Sequence, residues 1–252
     1  MTSNPEEWAV VVGAGGAIGS RIVQRLADRG LGVLAVGRTE AALAVVGEGL
    51  DHYEVCVADI GDDDCVTVIH EALHGPCRAA INAAAAPMGG HIDEVTPEAI
   101  LAAVDVKVNG TMRLVRAVDD QLGEDSRIVV LGGNLGYDPI PEATTAGVGN
   151  AALSNLIRQL SRSLGGRGIT SHVVAPGPVW TDRLRTLLAD AAAARGISEN
   201  EVMEEFRSRS PIGHIVTIDE VVWAVMMLLE PEARAMTGGT LLLDAGQRTA
   251  IP

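Results

Sequence analysis

Gly13-Ala14-Gly15-Gly16-Ala17-Ile18-Gly19 is the segment from which the architecture of this chain can be inferred, because it separates two segments of different periodicity. The continuous apolar run at 8–12 predicts a buried strand, and residues 20–29 carry apolar side chains at helical spacing. Glycines in such a turn let the backbone approach a ligand closely, and the helix start can hold a pyrophosphate. Glycine-rich turns after strands are common, so this loop alone is weak evidence for a nucleotide site.

The second apolar segment, residues 32–36, adds information on the nucleotide. It ends at Gly37-Arg38-Thr39, where a site that prefers NAD usually places a carboxylate for the ribose hydroxyls. The guanidinium of Arg38 suits a 2′-phosphate, which a carboxylate would repel, so the sequence predicts NADP(H) in preference to NAD(H). The alternative is that Arg38 is a solvated side chain at the start of a helix.

Length and composition predict one enzyme-sized domain. The 252 residues are 47% hydrophobic, which is enough for a full core, and the net charge of −14 argues against nucleic acid or an anionic membrane as partner. The cysteines Cys56, Cys65 and Cys77 lack metal-ligand spacing, so no metal site is expected. Residues 1–7 show neither a basic region nor an apolar signal segment, and we expect a soluble cytoplasmic protein.

Strand and helix patterns alternate along the whole chain. They predict an α/β fold, a single domain over 1–252 with a doubly wound parallel sheet of about seven strands and helices on both faces. Further strands are predicted at 53–57, 79–83, 127–131, 169–174 and 240–243, and further helices at 41–46, 63–73, 97–121, 146–164, 183–195, 199–209 and 218–229.

Four further motifs complete a pattern that resembles the short-chain dehydrogenase/reductase family over essentially the full length. Asp59 in Val57-Ala58-Asp59-Ile60 matches the family's adenine-contacting aspartate, and Asn82 in Ile81-Asn82-Ala83-Ala84-Ala85 matches its N-N-A-G strand end. Pro176-Gly177-Pro178-Val179-Trp180-Thr181 is similar to the segment that holds the nicotinamide carboxamide. Leu241–Gly246 is similar to the closing strand and turn. Taken singly, Asp59 could be a helix cap and Asn82 a turn residue.

The resemblance implies a Rossmann fold, an NADP(H) cofactor and a defined set of contacts to it. In the glycine loop, Val12 replaces the family's threonine and Ala17 its middle glycine, and we expect binding to survive both changes because the helix start remains available. The cofactor-binding residues so implied are Gly13, Gly15, Gly16, Ala17, Ile18, Gly19, Arg38, Asp59, Ile60, Asn82, Ala83, Asn150, Pro176, Gly177, Val179 and Thr181.

The family's Asn-Ser-Tyr-Lys tetrad is replaced at every position. In order, its members align with Lys107, Gly133, Ala146 and Asn150. Ala146 and Asn150 cannot perform the acid/base chemistry of tyrosine and lysine. The asparagine and the lysine of the family look exchanged between Lys107 and Asn150, so we interpret Lys107 as a relocated cation directed into the cofactor pocket. The alternative is a solvent-directed lysine paired with a carboxylate such as Asp105.

Three other side chains are candidate proton donors or oxygen-holding groups. Tyr137 lies on the loop beyond the lost serine, His91 lies in the loop after the fourth predicted strand, and Asn134 could take the place of the serine. Each also has an alternative without a catalytic role: Tyr137 could be a tyrosine packed on the rim, His91 a solvated histidine and Asn134 a loop asparagine.

Residues 181–211 occupy the place of the family's substrate lid. Trp180, Leu184, Leu187, Leu188, Met203 and Phe206 could line an apolar pocket for a small nonpolar carbonyl or alcohol, or could equally be helix core. Three classes of function remain open: an atypical NADP(H)-dependent oxidoreductase, a non-redox lyase, cyclase or isomerase, and a catalytically silent nucleotide-binding subunit. The resemblance also implies a homo-oligomer, a dimer or tetramer formed through the long helices and the C-terminal strand.

Overall fold

Seven parallel strands form the centre of the computed structural model, which describes residues 5–86 and 89–249. They lie in the order β3-β2-β1-β4-β5-β6-β7, with every neighbouring pair parallel. The order reverses between β1 and β4, and crevices for ligands form at such a switch point. The strands are β1 Trp8–Val12, β2 Gly32–Gly37, β3 Tyr53–Val57, β4 Cys77–Asn82, β5 Leu122–Leu131, β6 Thr170–Pro176 and β7 Thr240–Leu243.

Helices cover both faces of the sheet, which confirms the predicted doubly wound α/β class. Alternate residues of a strand point to opposite faces, so Val10 and Val12 join one core cluster while Ala9 and Val11 join the other. Residues of α3, α5 and α6 pack in the first cluster, and residues of α1 and α9 in the second. The helices are α1 Ala17–Ala27, α2 Glu40–Val46, α3 Cys65–Ala72, α4 Pro97–Val104, α5 Gly110–Val118, α6 Thr144–Leu164, α7 Asp182–Arg195, α8 Glu199–Ser208 and α9 Ile218–Met227.

The single helix predicted over 97–121 is wrong in one informative respect. A π-helical turn at Asp105–Asn109 separates α4 from α5, and α5 ends at Val118. A π turn holds one more residue than an α turn, which rotates the side chains that follow it. Lys107 lies at the centre of this turn, so the position of its side chain depends on the irregularity.

Two strands begin earlier than predicted. Cys77 pairs with Leu122 ahead of a shift in register, whereas the prediction began β4 at Ala79 and β5 at Arg127. The intervening residues of β5 are polar and include Asp125 at a φ of 68°, so they break the apolar alternation that indicates a strand.

The helices α7 and α8 form a small unit outside the main core. A third apolar cluster lies between them, built on Leu184, Leu188, Ala192 and Val202. None of the helices in the described ranges is long and apolar enough to cross a membrane.

Candidate cofactor and proton-transfer site

The glycine loop between β1 and α1 has the shape that a pyrophosphate requires. Gly13 has a φ of 78°, and a Cβ on it would lie 2.8 Å from the backbone nitrogen of Ala84. A Cβ on Gly19 would overlap the carbonyl oxygen of Gly13. Gly16 is the N-cap of α1 and offers no side chain, so the first N–H groups of the helix are left for a ligand. These residues fit a dinucleotide phosphate.

The residues predicted to bind the adenosine end lie beyond two neighbouring strands. Arg38 follows the end of β2, is exposed, and has no hydrogen bond or ion pair with any residue that the structure describes. Asp59, two residues beyond β3, is exposed, and its carboxylate accepts a hydrogen bond of 2.9 Å from the backbone N–H of Gly61. Ile60 is buried. A guanidinium and a turn carboxylate are therefore both accessible to a ligand at this edge.

Asn82, the last residue of β4, connects the sheet to the irregular helix. Its side-chain oxygen accepts a hydrogen bond of 3.1 Å from the N–H of Ala84, and its amide donates to the hydroxyl of Thr111 at 3.0 Å. Thr111 donates in turn to the carbonyl oxygen of Lys107 at 2.7 Å, inside the π turn. All three side chains are buried, so this chain of bonds fixes the backbone that carries Lys107.

Lys107 is the only lysine in the sequence, and it is 8% exposed. Its Nζ donates to the carbonyl oxygen of Ala84 at 3.1 Å and to that of Leu131 at 2.7 Å. The alternative of a solvent-directed lysine paired with Asp105 is wrong, because Asp105 is bonded to Asn109 and Arg113. Burial, and to a smaller extent the charge of Arg183, lowers the pKa of Lys107 to about 8.

The contact between Lys107 and Ala84 places the amine beside the glycine loop. Ala84 accepts from Lys107 through its carbonyl, and its nitrogen lies against the face of Gly13 that a Cβ would fill. Leu131, the second acceptor, ends β5. The ammonium group therefore lies at the carboxyl edge of the sheet, between the ends of β4 and β5, and its third hydrogen has no acceptor among the described residues.

The other aligned tetrad positions lie beside the end of the same strand. A Cβ on Gly133, where the family has serine, would lie 2.9 Å from the amide nitrogen of Asn150. Asn150 and Ala146 are both buried on α6. Lys107 from the π turn and Asn150 from α6 therefore approach the end of β5 from two different helices, and the missing side chain at Gly133 makes room for the second.

Two of the remaining candidate proton donors are engaged by other polar side chains. The hydroxyl of Tyr137 pairs with the hydroxyl of Thr240 in β7. His91 is 42% exposed at its side chain, and its Nδ1 lies 3.3 Å from the carboxylate of Asp93. Tyr137 and His91 therefore each have a polar partner among the described residues. Asn134 is closer to the pocket, since its amide nitrogen would lie 3.5 Å from a Cβ on Gly177.

The segment predicted to hold the nicotinamide links β6 to α7. Pro176 ends β6, and the N–H of Gly177 donates to the carbonyl of Leu243 at 2.9 Å. Val179 forms an isolated bridge with Val216. Thr181 is the N-cap of α7, with its hydroxyl accepting from the N–H of Leu184 at 3.3 Å, so the start of the lid is held in place.

The apolar lid residues form the core of the lid itself. Leu184 and Leu188 are buried, and Trp180, Met203 and Phe206 pack on the same cluster between α7 and α8, while Leu187 is 52% exposed. The plain interpretation as helix core therefore describes these side chains better than an apolar substrate pocket.

Sequence reasoning missed three features of the site. Thr111 and the π turn were not singled out, because neither changes the composition of this helical segment. Arg183, which the lid brings within electrostatic range of Lys107, was not proposed either. One feature of the sequence does distinguish Lys107: it is the only lysine, and every other residue counted as Lys or Arg is an arginine.

Comparison with known proteins gives one consistent result. A family model described as enoyl-(acyl carrier protein) reductase matches residues 13–248. The short-chain reductase NovJ of Streptomyces niveus is 29% identical, with 96% of this chain and 94% of that protein covered. Galactitol 2-dehydrogenase of Rhizobium johnstonii is 31% identical, with 95% of this chain and 94% of that protein covered.

Solved structures agree with this fold. A variant of actinorhodin polyketide ketoreductase with NADPH superposes with a TM-score of 0.89 at 25% identity, covering 99% of this chain and all of that one. An NADPH-bound short-chain oxidoreductase from Pseudomonas aeruginosa PAO1, described as containing an atypical catalytic center, gives 0.87 at 22% identity over the whole of both chains. The chain belongs to the short-chain dehydrogenase/reductase family.

Proposed function

We propose that this protein is an atypical NADP(H)-dependent oxidoreductase that interconverts a small carbonyl compound and its alcohol, with Lys107 as the proton-transferring group. One observation carries the proposal: the only lysine of the chain is buried at the ends of β4 and β5, against the backbone that borders the glycine loop. Burying an amine without a carboxylate partner is costly, and perturbed groups of this kind concentrate at functional sites.

The residues at the carboxyl edge of the sheet are suited to hold NADP(H). Gly13, Gly16 and Gly19 leave space and N–H groups for the pyrophosphate, and Arg38 is available for the 2′-phosphate. Asp59 would contact the adenosine, and the 176–181 segment would contact the nicotinamide amide. Bound NADPH supplies the hydride that reduces a carbonyl carbon.

Lys107 completes the reduction by donating a proton to the carbonyl oxygen. The bonds to Ala84 and Leu131 orient its ammonium group and leave one hydrogen for the substrate. A pKa near 8 keeps most of the amine protonated at neutral pH and makes it a stronger acid than an ordinary lysine. The neutral amine regains its proton from water, so the reaction consumes one carbonyl compound, one NADPH and one proton.

The relatives support the redox class over the non-redox and silent classes. NovJ and galactitol 2-dehydrogenase carry the names of a reductase and a dehydrogenase, and two structural neighbours hold NADPH. The Pseudomonas neighbour is described as having an atypical catalytic center, which is the condition proposed here. We further propose a cytoplasmic homo-oligomer acting on a small molecule; the three cysteines are buried and free, as a reducing compartment allows.

The test compares the wild type with Lys107→Met and Arg116→Met on a panel of carbonyl compounds, followed at the absorbance of reduced nicotinamide. Arg116 is an exposed cation on α5, downstream of the π turn, and serves as the matched control. We expect Lys107→Met to lose roughly 100-fold or more in kcat while it still binds NADP(H), because general acid catalysis is of that size. Full activity in Lys107→Met would exclude Lys107 as the donor, and substrate conversion without cofactor oxidation would exclude the redox class.

A further inference from the structure

The lid carries one arginine without a partner. Arg185 pairs with Asp182, Arg195 with Glu205 and Arg207 with Glu204, and Arg209 lies over the ring of Phe206. Arg183 is exposed in the first turn of α7 and has no hydrogen bond or ion pair with any residue in the described part of the chain. Its guanidinium is therefore free to bind an anion.

The backbone that carries Arg183 is anchored at the start of α7. Thr181 caps α7 two residues earlier, and the N–H of Trp180 donates to the carbonyl of Val216 at 2.8 Å. The first turn of α7 is thereby anchored directly after the segment that resembles the nicotinamide-binding loop. Strand β6, which leads into α7, lies beside β5, and Lys107 contacts the end of β5, so both residues follow neighbouring strands at the carboxyl edge of the sheet.

Among the described residues, no carboxylate forms an ion pair with Lys107 or Arg183. Lys107 donates only to two backbone carbonyls, and Arg183 has no acidic partner. In this chain, whose net charge is −14, three of the five lid arginines pair with a carboxylate. Two cations without carboxylate partners, at neighbouring strand ends, favour the binding of an anion.

We infer that Arg183 binds an oxyanion, a carboxylate or phosphate, on the carbonyl compound whose reacting oxygen faces Lys107. The inference rests on the proposed function, because it defines the substrate class of that same site. It replaces the expected apolar substrate, since the apolar lid side chains pack on one another. A guanidinium binds a carboxylate or phosphate with two parallel hydrogen bonds, which favours Arg183 over a simple point charge. The competing source of the oxyanion is the diphosphate of the cofactor.

The first arm of the test measures binding without turnover. The enzyme is labelled with ¹⁵N-lysine, which reports Lys107 alone, saturated with NADP⁺, and titrated with pyruvate and acetoacetate or with their methyl esters. We expect at least one oxo acid to bind about tenfold or more tightly than its ester, with Arg183→Gln abolishing the difference and Arg183→Lys restoring part of it. Arg207→Gln, on the outer face of α8, is the matched control and should keep the wild-type preference.

Two results would overturn the inference. Equal binding of acids and esters by the wild type would show that the pocket does not select an anion. An unchanged acid-to-ester preference in Arg183→Gln, together with weaker NADP⁺ binding, would assign Arg183 to the cofactor diphosphate. The second arm measures turnover of the same compounds with NADPH. Selective binding of an oxo acid without its reduction supports the anion site and contradicts the proposed redox function, so the two failures are distinguishable.

Discussion

The titration of Lys107 can be measured on its own, because no other lysine is present. It can then be compared with the pH dependence of catalysis. Burial lowers the pKa of Lys107 to about 8, so carbonyl reduction, which needs the protonated amine, should lose kcat/KM as the pH rises through about 8. Alcohol oxidation, which needs the neutral amine, should gain over the same range. A pH–rate profile in both directions and an NMR titration of ¹⁵N-lysine check this. A lysine that titrates near its ordinary value, or profiles with the same slope in both directions, would contradict the assignment.

The same pKa predicts how stability depends on pH. Below pH 8 the folded and unfolded states both hold the proton, and the cost of burying the charge is constant. Between pH 8 and the ordinary lysine pKa of 10.5 the unfolded state binds more protons, so the free energy of unfolding rises with pH. We expect the difference in unfolding free energy between wild type and Lys107→Met to increase by about 3 kcal/mol over this range in favour of the wild type.

Denaturant unfolding of both proteins at several pH values measures this difference. The raised pKa of Tyr53, about 12, affects the unfolding free energy of both proteins equally, so its contribution cancels in the difference. A difference that does not change between pH 8 and 10.5 would show that Lys107 is not buried as a charge.

Arg38 decides the choice of nucleotide in our proposal. It is exposed and unpaired among the described residues, so a carboxylate at this position meets no steric obstacle. We expect Arg38→Asp to weaken NADP⁺ binding by roughly 10- to 100-fold and to weaken NAD⁺ binding little, because a carboxylate repels the 2′-phosphate and accepts from ribose hydroxyls. Calorimetry of both nucleotides checks this, with Arg116→Asp as the control for net charge. Equal loss for both nucleotides would contradict the NADP(H) preference.

The phosphate loop does not tolerate an added side chain at Gly19, because backbone atoms lie where its Cβ would be. A methyl group on Gly19 would overlap the carbonyl oxygen of Gly13, and backbone cannot yield as a flexible side chain can. We expect Gly19→Ala to reduce the free energy of unfolding by about 2 kcal/mol or more and to abolish nucleotide binding. Gly123→Ala is the control, since a methyl group there meets nothing within 4 Å. Wild-type stability and binding in Gly19→Ala would show that the loop is open at this point.

Regular elements were predictable to the extent that apolar periodicity defines them. The predicted strands Trp8–Val12, Tyr53–Val57 and Thr240–Leu243 coincide with β1, β3 and β7, because each is a short run made mostly of apolar, aromatic or β-branched residues. The π turn at Asp105–Asn109 was not predictable, because one extra residue in a turn changes the hydrogen bonding and not the composition.

The candidate site was predictable in its residue types more than in its contacts. The exchange of Lys107 and Asn150 was visible in the sequence, but the acceptors Ala84 and Leu131 are backbone carbonyls, which no side-chain pattern can indicate. The bond between Tyr137 and Thr240 joins residues 103 positions apart, and such pairings depend on the packed sheet.

At the scale of the whole molecule, cations lie near the proposed ligand sites although the net charge of the protein is negative. The chain carries a net charge of −14, and the residues that follow the strands at the carboxyl edge of the sheet include the cations Arg38 and Arg183 and the acidic residues Asp59 and Asp244. A cation close to a ligand attracts its anionic groups even when the protein as a whole is acidic. In our proposals, Arg38 attracts the 2′-phosphate of the dinucleotide and Arg183 attracts an anionic carbonyl compound.

Self-association belongs to the same scale. Leu101 on α4 is 66% exposed, Val148 on α6 is 43% exposed, and these two helices pack on each other. We predict that a second copy covers this apolar surface, because exposed aliphatic side chains on adjacent helices favour association. Val148→Asp should therefore lower the oligomer mass measured by size-exclusion chromatography with light scattering. Val45→Asp changes an equally apolar exposed side chain on α2 and should leave the mass unchanged. A monomeric wild type, or the same mass for all three proteins, would contradict an interface on α4 and α6.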